Sequence, residues 1–282
     1  MQRLLNLGCG SRYCTDLGWT NVDFKGTVGA VIAHDLARGV PFADCTFDAV
    51  YHSNVLEHFS IQDGARFMRE CVRVLKPGGI VRVAVPDTEE ICREYLNALD
   101  RAMQGDGQAR HHHRWMIIEL CDQLARHYPG GEMAAYLNKM EVPERSFVIR
   151  RIGNIAKSLL PCEEKPQRIA LRPKSSWRRQ CWQRTVRKLI ALRRMALSLL
   201  LKRHELEALK VGLFRLHGEP HLWIYDRFSL SEIMREAGLE NIEMCTAASS
   251  RIMEWERYYL DTNADGSEHQ PDSLYMEGVK LA

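Results

Sequence analysis

The sequence predicts an α/β fold: a seven-stranded, mostly parallel sheet with a helical insertion between the fifth strand and the last two. Three observations predict it. Short apolar runs, each closed by an acidic or turn-forming residue, alternate with connecting segments over residues 1–88, the pattern left by a sheet with crossover connections. Residues 89–216 read as helical and polar, with no strand of comparable quality and no internal repeat. After 217 a helix and two more strand-like runs return. The chain therefore divides into a sheet domain, 1–88 with 217–282, and an insertion, 89–216.

Leu4–Leu7 is an apolar run of a buried strand, and Thr20–Phe24 and Val31–His34 give two more. Phe47–Ser53 (FDAVYHS) makes a fourth. From Ser60, a plausible N-cap, apolar residues recur at helical spacing: Ile61, Ala65, Met68, Val72 and Leu75. Lys76-Pro77-Gly78-Gly79 closes that helix, because proline cannot continue it and glycine permits positive φ. Ile80–Val85 supplies the fifth strand. Ser229 can cap a helix running through Glu236, and Gly238 ends it; strands at Ile242–Thr246 and Leu274–Leu281 complete the sheet.

With 282 residues, 45% hydrophobic and 27% charged, the chain suffices for one large decorated domain or two small ones. Its nine cysteines include no CxxC pair and no Cys/His array at zinc spacing, so neither a disulfide framework nor a metal is indicated and a cytoplasmic setting fits. The first strand begins at Leu4, which leaves no room for a secretory signal, and no long uncharged apolar stretch predicts a transmembrane helix. The net charge of +3 conceals an asymmetry: from Arg145 to Arg203, 17 Lys/Arg accompany two acids. Within that stretch, residues 177–203 read as an amphipathic basic helix. It can lie on an anionic inner-membrane surface or cap its own domain with its cations solvated. No nucleic-acid module surrounds it.

The run LLNLGCG stops at a Gly-Cys-Gly turn. A backbone that bends sharply with its N–H groups open to a ligand needs residues without a Cβ, which explains Gly8 and Gly10. Dinucleotides and S-adenosylmethionine are both held by such turns. The dinucleotide fingerprint requires a third glycine running into a full helix, where this chain has Tyr13. Ten residues then separate Gly10 from Asn21, Gly18 and Trp19 among them, so a crossover helix barely fits and a pyrophosphate loses its support. Asp23, ending the second strand, can accept from two ribose hydroxyls, with Phe24 offering a face to adenine. Asp35, ending the third, can accept from the adenine amino group.

LLNLGCG, NVDF, HDLARGVPFADCTFDAV, HSNVLEH and RVLKPGGIVRVAVPD resemble, in order, the motifs of class I S-adenosylmethionine-dependent methyltransferases of the small-molecule type, closely over Leu4–Asp87 and more loosely over Leu222–Leu281. The late motifs HLWIYDRFSL and PDSLYMEG are similar to a subgroup often met among genes for surface glycan assembly. The resemblance implies a Rossmann-like sheet binding S-adenosyl-L-methionine. Asn6, Gly8, Cys9 and Gly10 would line its methionine end, Asp23 its ribose, Asp35 and Leu36 its adenine, and His52, Ser53 and Asn54 the far wall. It implies O-methylation of a sugar in a surface glycan or lipid-linked precursor. RNA, a small metabolite, or a non-catalytic cofactor-binding module docked on a membrane enzyme complex are the alternatives.

Transfer from a sulfonium needs alignment above all, and a base only where the acceptor is a hydroxyl or protonated amine. Glu57 and His58, in LEH, are catalytic candidates or a helix-start hydrogen bond. His221 is a base or an orienting histidine. It stands with Trp223, Tyr225 and Asp226 where the insertion rejoins the sheet, and Asp226 is a further candidate. Asp87 and His217 are outlying ones. Asp261 to Asp272 imitates a calcium loop but ends in Pro-Asp rather than a bidentate Glu, so it reads as a turn before the last strand. His111-His112-His113 cannot converge on one ion from a helix.

Overall fold

The computed structural model describes residues 2–27, 29–138, 142–159 and 200–281. Seven strands form one sheet in the order β3-β2-β1-β4-β5-β7-β6: β1 (Leu4–Leu7), β2 (Trp19–Asp23), β3 (Ile32–Ala33), β4 (Phe47–Ser53), β5 (Leu75–Pro86), β6 (Leu239–Cys245) and β7 (Ser273–Lys280). β1 to β5 pair in parallel, while β7 runs antiparallel to both β5 and β6. β1 has β2 on one side and β4 on the other, so the strand order reverses there. Ligands of open α/β sheets bind at the carboxyl ends of strands beside such a reversal. Gly8 and Asn54 follow β1 and β4 at that point.

Helix α1 (Ile61–Val74) is capped as expected, with Ser60 Oγ accepting from Asp63 N. Lys76 to Gly79 forms a bulge at the start of β5, where the pairing with β4 shifts register after Phe47. On one face of the sheet, Leu5, Leu7, Val50, Val81 and Val83 pack with Phe67, Met68 and Cys71 of α1 and with Leu230 and Met234 of helix α7 (Arg227–Glu236).

The other face near β1 has no crossover helix. The connection from β1 to β2 is a coil stitched by asparagines: Asn6 Nδ2 donates to Arg12 O (3.0 Å), and Asn21 Nδ2 to Cys14 O (2.8 Å). That face is covered from the far end of the chain, where Ile252, Trp255 and Leu260 pack on Leu4, Ala49 and Tyr51. Arg12 fastens the coil to this cover, its Nε donating to Leu260 O (2.9 Å) and its Nη2 to Thr262 O (2.8 Å).

Helices α2 (Thr88–Met103), α3 (Gly107–Ala125), α4 (Gly131–Leu137), α5 (Val142–Leu159) and α6 (Arg203–Arg215) lie between β5 and α7. They carry their own core, including Trp115, Met116, Leu137 and Ile152. Glu119 sits inside it, accepting from Trp115 Nε1 (2.6 Å) and Arg151 Nη2 (2.7 Å). The histidine run diverges as expected, His112 stacking on Phe147 and His113 lying against Tyr95. Among the described residues, no helix is long and apolar enough to cross a membrane. The basic stretch 177–203, apart from its last four positions, lies outside the described residues.

Asp261 belongs to a buried network rather than a calcium loop. It accepts from Tyr51 Oη (2.6 Å) and Arg82 Nε (2.8 Å), and Arg82 also reaches Glu277 (2.9 Å) while its guanidinium lies 4.4 Å from the Trp255 ring. Residues 262–268 form the expected turn, closed by a Thr262–Glu268 bridge.

Candidate active site

The turn after β1 is held from inside. Gly8 N and Cys9 N donate to Val22 O (2.8 and 3.2 Å), and Gly10 N donates to Asp23 Oδ2 (2.9 Å). The expectation that these N–H groups stay open to a ligand is thus not met. What the glycines provide is φ of +64° and +52° and a close approach, since a Cβ on Gly8 would stand 2.3 Å from Val55 Cγ2. Cys9 is buried, which pushes its thiol up to about 11 and leaves it a neutral, small side chain.

Two neighbouring hollows flank this turn. One of about 200 Å³ is lined by Asn6, Gly8, Gly10, Ser53, Asn54 and Gln270. The other, about 670 Å³, is a groove past Asp23, Phe24, Asp35 and Leu36 that extends to His58 and Leu222; Gly8 and Asn54 border both. A depression of about 820 Å³ beside Leu4 and Thr15 lies at the start of β1, away from the ends where such folds bind ligands. Asn54 adopts φ +52°, donates through Nδ2 to Gln270 Oε1 (2.7 Å), and keeps a buried Oδ1 with no partner at the junction of the hollows. That orphaned acceptor, the two carboxylates and the Gly8 cradle fit a ligand with a zwitterionic end and a ribonucleoside end. Asp35 also accepts from Ala37 N (3.1 Å), capping a turn of 3₁₀ helix. Phe24 is 73% exposed, free to cover a base.

Three expectations need correction. His52 does not line the far wall: strand alternation turns it to the α1 face, fully buried against Phe67, where desolvation lowers it to about 3. Its neighbours Tyr51 and Ser53 face the hollow instead. Asp226 is the N-cap of α7, accepting from Phe228 N (3.0 Å) and Ser229 N (2.8 Å), with Ser229, expected as the cap, completing the box. Tyr225 is buried, its hydroxyl pushed up to about 12 by burial. Trp223 remains 40% exposed. Asp87 caps α2, accepting from Glu90 N (3.2 Å).

The structure brings Glu57, His58 and His221 together. Leu222 N and Trp223 N both donate to Glu57 O (2.7 and 3.1 Å), and His221 N donates to Gln123 O (3.0 Å). His221 Nε2 then stands 4.0 Å from Glu57 Oε1, and the two imidazoles meet edge to face at 4.9 Å. Burial raises the Glu57 carboxyl to about 8 and lowers His221 to about 3. Gln270 was not anticipated from the sequence, although it directly precedes the PDSLYMEG segment.

Residues 5–83 match the family described as "Methyltransferase domain". A protein of Mycolicibacterium smegmatis named "Probable S-adenosylmethionine-dependent methyltransferase" is 34% identical over 99 residues, covering 30% of this chain and 38% of that one. The [4+2]-cyclase SpnF aligns at 29% identity over 29% of this chain and 38% of its own, with a TM-score of 0.25. A methyltransferase structure from Thermotoga maritima aligns at 12% identity over 99% and 83%, with a TM-score of 0.38. The matched stretch thus spans well under half of the mycolicibacterial relative's length.

The sheet order, the glycine turn and the family match mark a class I S-adenosylmethionine-dependent methyltransferase domain. S-adenosylmethionine is the cofactor of that class.

Proposed function

We propose that this protein transfers a methyl group from S-adenosylmethionine to an oxygen of a sugar in a surface glycan or its lipid-linked precursor. The observation carrying the proposal is the length of one groove: it passes Asp23 and Asp35 and runs on to His58, Leu222 and the mouth beside His217. Donor and acceptor can therefore meet in line. When bound, the cofactor supplies an electrophilic methyl group on a sulfonium. Asp23 receives the ribose hydroxyls, Asp35 and Leu36 the adenine edge, and Asn54 Oδ1 the ammonium of the methionine end, beside Asn6, Gly8, Cys9, Gly10 and Ser53.

On the acceptor side, His58 borders the groove, with Glu57 and His221 behind it. Trp223, in HLWIYD, offers a flat apolar face of the kind that covers a sugar ring. That motif and PDSLYMEG are the basis for a glycan acceptor. The division into a sheet domain (1–88, 217–282) and an insertion (89–216) belongs to the same reading. So does a cytoplasmic location with segment 177–203 resting on anionic lipid, which flotation with anionic liposomes checks.

Calorimetry with S-adenosylmethionine should show one site, lost in Asp23→Ala. Mass spectrometry of cell glycans with and without the protein should show one methyl group's mass on one sugar. Unchanged glycans, with cofactor bound but never consumed, would leave a binding module in place of an enzyme.

A further inference from the structure

We propose that Glu57, His58 and His221 form a three-ligand site for a divalent transition metal of the zinc type. One donor atom from each side chain lies within 4.8 Å of the other two. Atoms so spaced always leave a point within about 2.8 Å of all three, against bonds of about 2.0–2.2 Å for zinc to imidazole or carboxylate, so a contraction of under an ångström closes the site. Two imidazoles and a carboxylate suit zinc, cobalt or ferrous iron. Calcium and magnesium, which take six or more oxygens, are poorly served.

Independent observations point to a bound cation. Glu57 is 1% exposed, and neither carboxylate oxygen has a hydrogen-bond partner. A carboxyl buried without donors either keeps a proton or is met by a cation, and a cation would give its oxygens the partner they lack. The positive charge of Arg126, which acts on both histidines and would oppose a cation, is balanced by Asp122 and by Glu219 (3.0 Å). His58 has the outer partner that metal-bound histidines carry: its Nδ1 faces Pro220 O at 3.2 Å, which leaves Nε2 as the ligating nitrogen. Backbone bonds from 221–223 to Gln123 O and Glu57 O fix the two ligand segments against each other.

Three protein ligands leave one tetrahedral position open, as in catalytic rather than structural zinc sites. His221 borders a cavity of about 40 Å³ shared with Gln123 and Asp272, room for a water beside this ligand. The sequence points to no metal, because it holds no Cys/His array at zinc spacing and His221 stands far along the chain from the adjacent Glu57 and His58.

The test uses the whole chain, stripped with a chelator, dialysed and titrated with Co²⁺. One equivalent should bind with the visible ligand-field bands of a four-coordinate ion, and Zn²⁺ should displace it. His58→Ala, His221→Ala and Glu57→Gln should each weaken uptake at least tenfold, whereas His112→Ala, in the histidine run of α3, should leave it unchanged. Circular dichroism and S-adenosylmethionine calorimetry on each variant establish that it is folded, and read the cofactor site separately from the metal. If the folded wild-type protein takes up no Co²⁺ at micromolar concentration, or if uptake survives in both histidine variants, the proposal fails.

Discussion

Arg12→Ala is the sharpest test of how the cofactor turn is built. The guanidinium donates to Leu260 O (2.9 Å) and Thr262 O (2.8 Å), meets His269 Nδ1 (2.8 Å) and touches Tyr259 O. Hydrogen bonds from a charged donor are worth about 1.5–3 kcal/mol each. Because Arg12 is half-buried, the lower end applies, and three bonds give a loss of about 4–5 kcal/mol. In urea, with a slope of about 3 kcal/mol per M, that moves the unfolding midpoint down by about 1.5 M. The turn bearing Gly8 and Gly10 also loosens, so S-adenosylmethionine should bind at least tenfold more weakly, about 1.4 kcal/mol. Arg12→Lys keeps the charge but not the planar fork, and should recover less than half of either loss. A midpoint and a cofactor affinity both indistinguishable from wild type would refute the idea that the distal cover braces the turn.

Gly8→Ala should abolish cofactor binding, since its Cβ meets Val55 at 2.3 Å, whereas Gly10→Ala, with open space around it, should cost only the positive-φ strain of about 1–2 kcal/mol; calorimetry and thermal melts on the pair read the difference. Arg82→Met leaves Asp261 and Glu277 buried without the guanidinium between them, and chemical denaturation should show a loss of about 3–5 kcal/mol. Asp226→Ala removes a helix cap, so a loss of about 1 kcal/mol with unchanged turnover per folded molecule is expected; a collapse of turnover without loss of stability would return Asp226 to the catalytic set.

Much of the fold was legible because local chemistry determined it. Ser60 and the apolar period of α1 placed that helix, and β4 ran over Phe47–Ser53 as read. β6 begins earlier than its apolar run suggests, because a register shift between Glu240 and Glu243 lets polar residues join the strand. His52 was placed wrongly by treating the end of β4 as one patch, although period-two alternation alone separates it from Tyr51 and Ser53. Asp23 and Asp35 were readable as candidates because Asp23 ends β2 and Asp35 lies two residues past β3. The meeting of Glu57 with His221 was not, because it depends on the chain returning across helices that carry no register signal. The cap by Asp226 was missed in favour of Ser229, three residues on, which is the other half of the same box.

The sheet's missing crossover helix, replaced by residues drawn from the opposite end of the polypeptide, has a consequence for how the molecule comes into being. Arg12 finds its partner Leu260 across a sequence separation of 248. A ribosome-bound nascent chain that has emitted the whole parallel half of the sheet would still lack the strut under its Gly8–Gly10 bend, and such long-range closure is intrinsically slow. The amino-terminal segment is therefore not a portable module. Clipping the polypeptide within 246–272 should unlatch a loop near its beginning, which amide exchange at Gly8 to Cys14 would report.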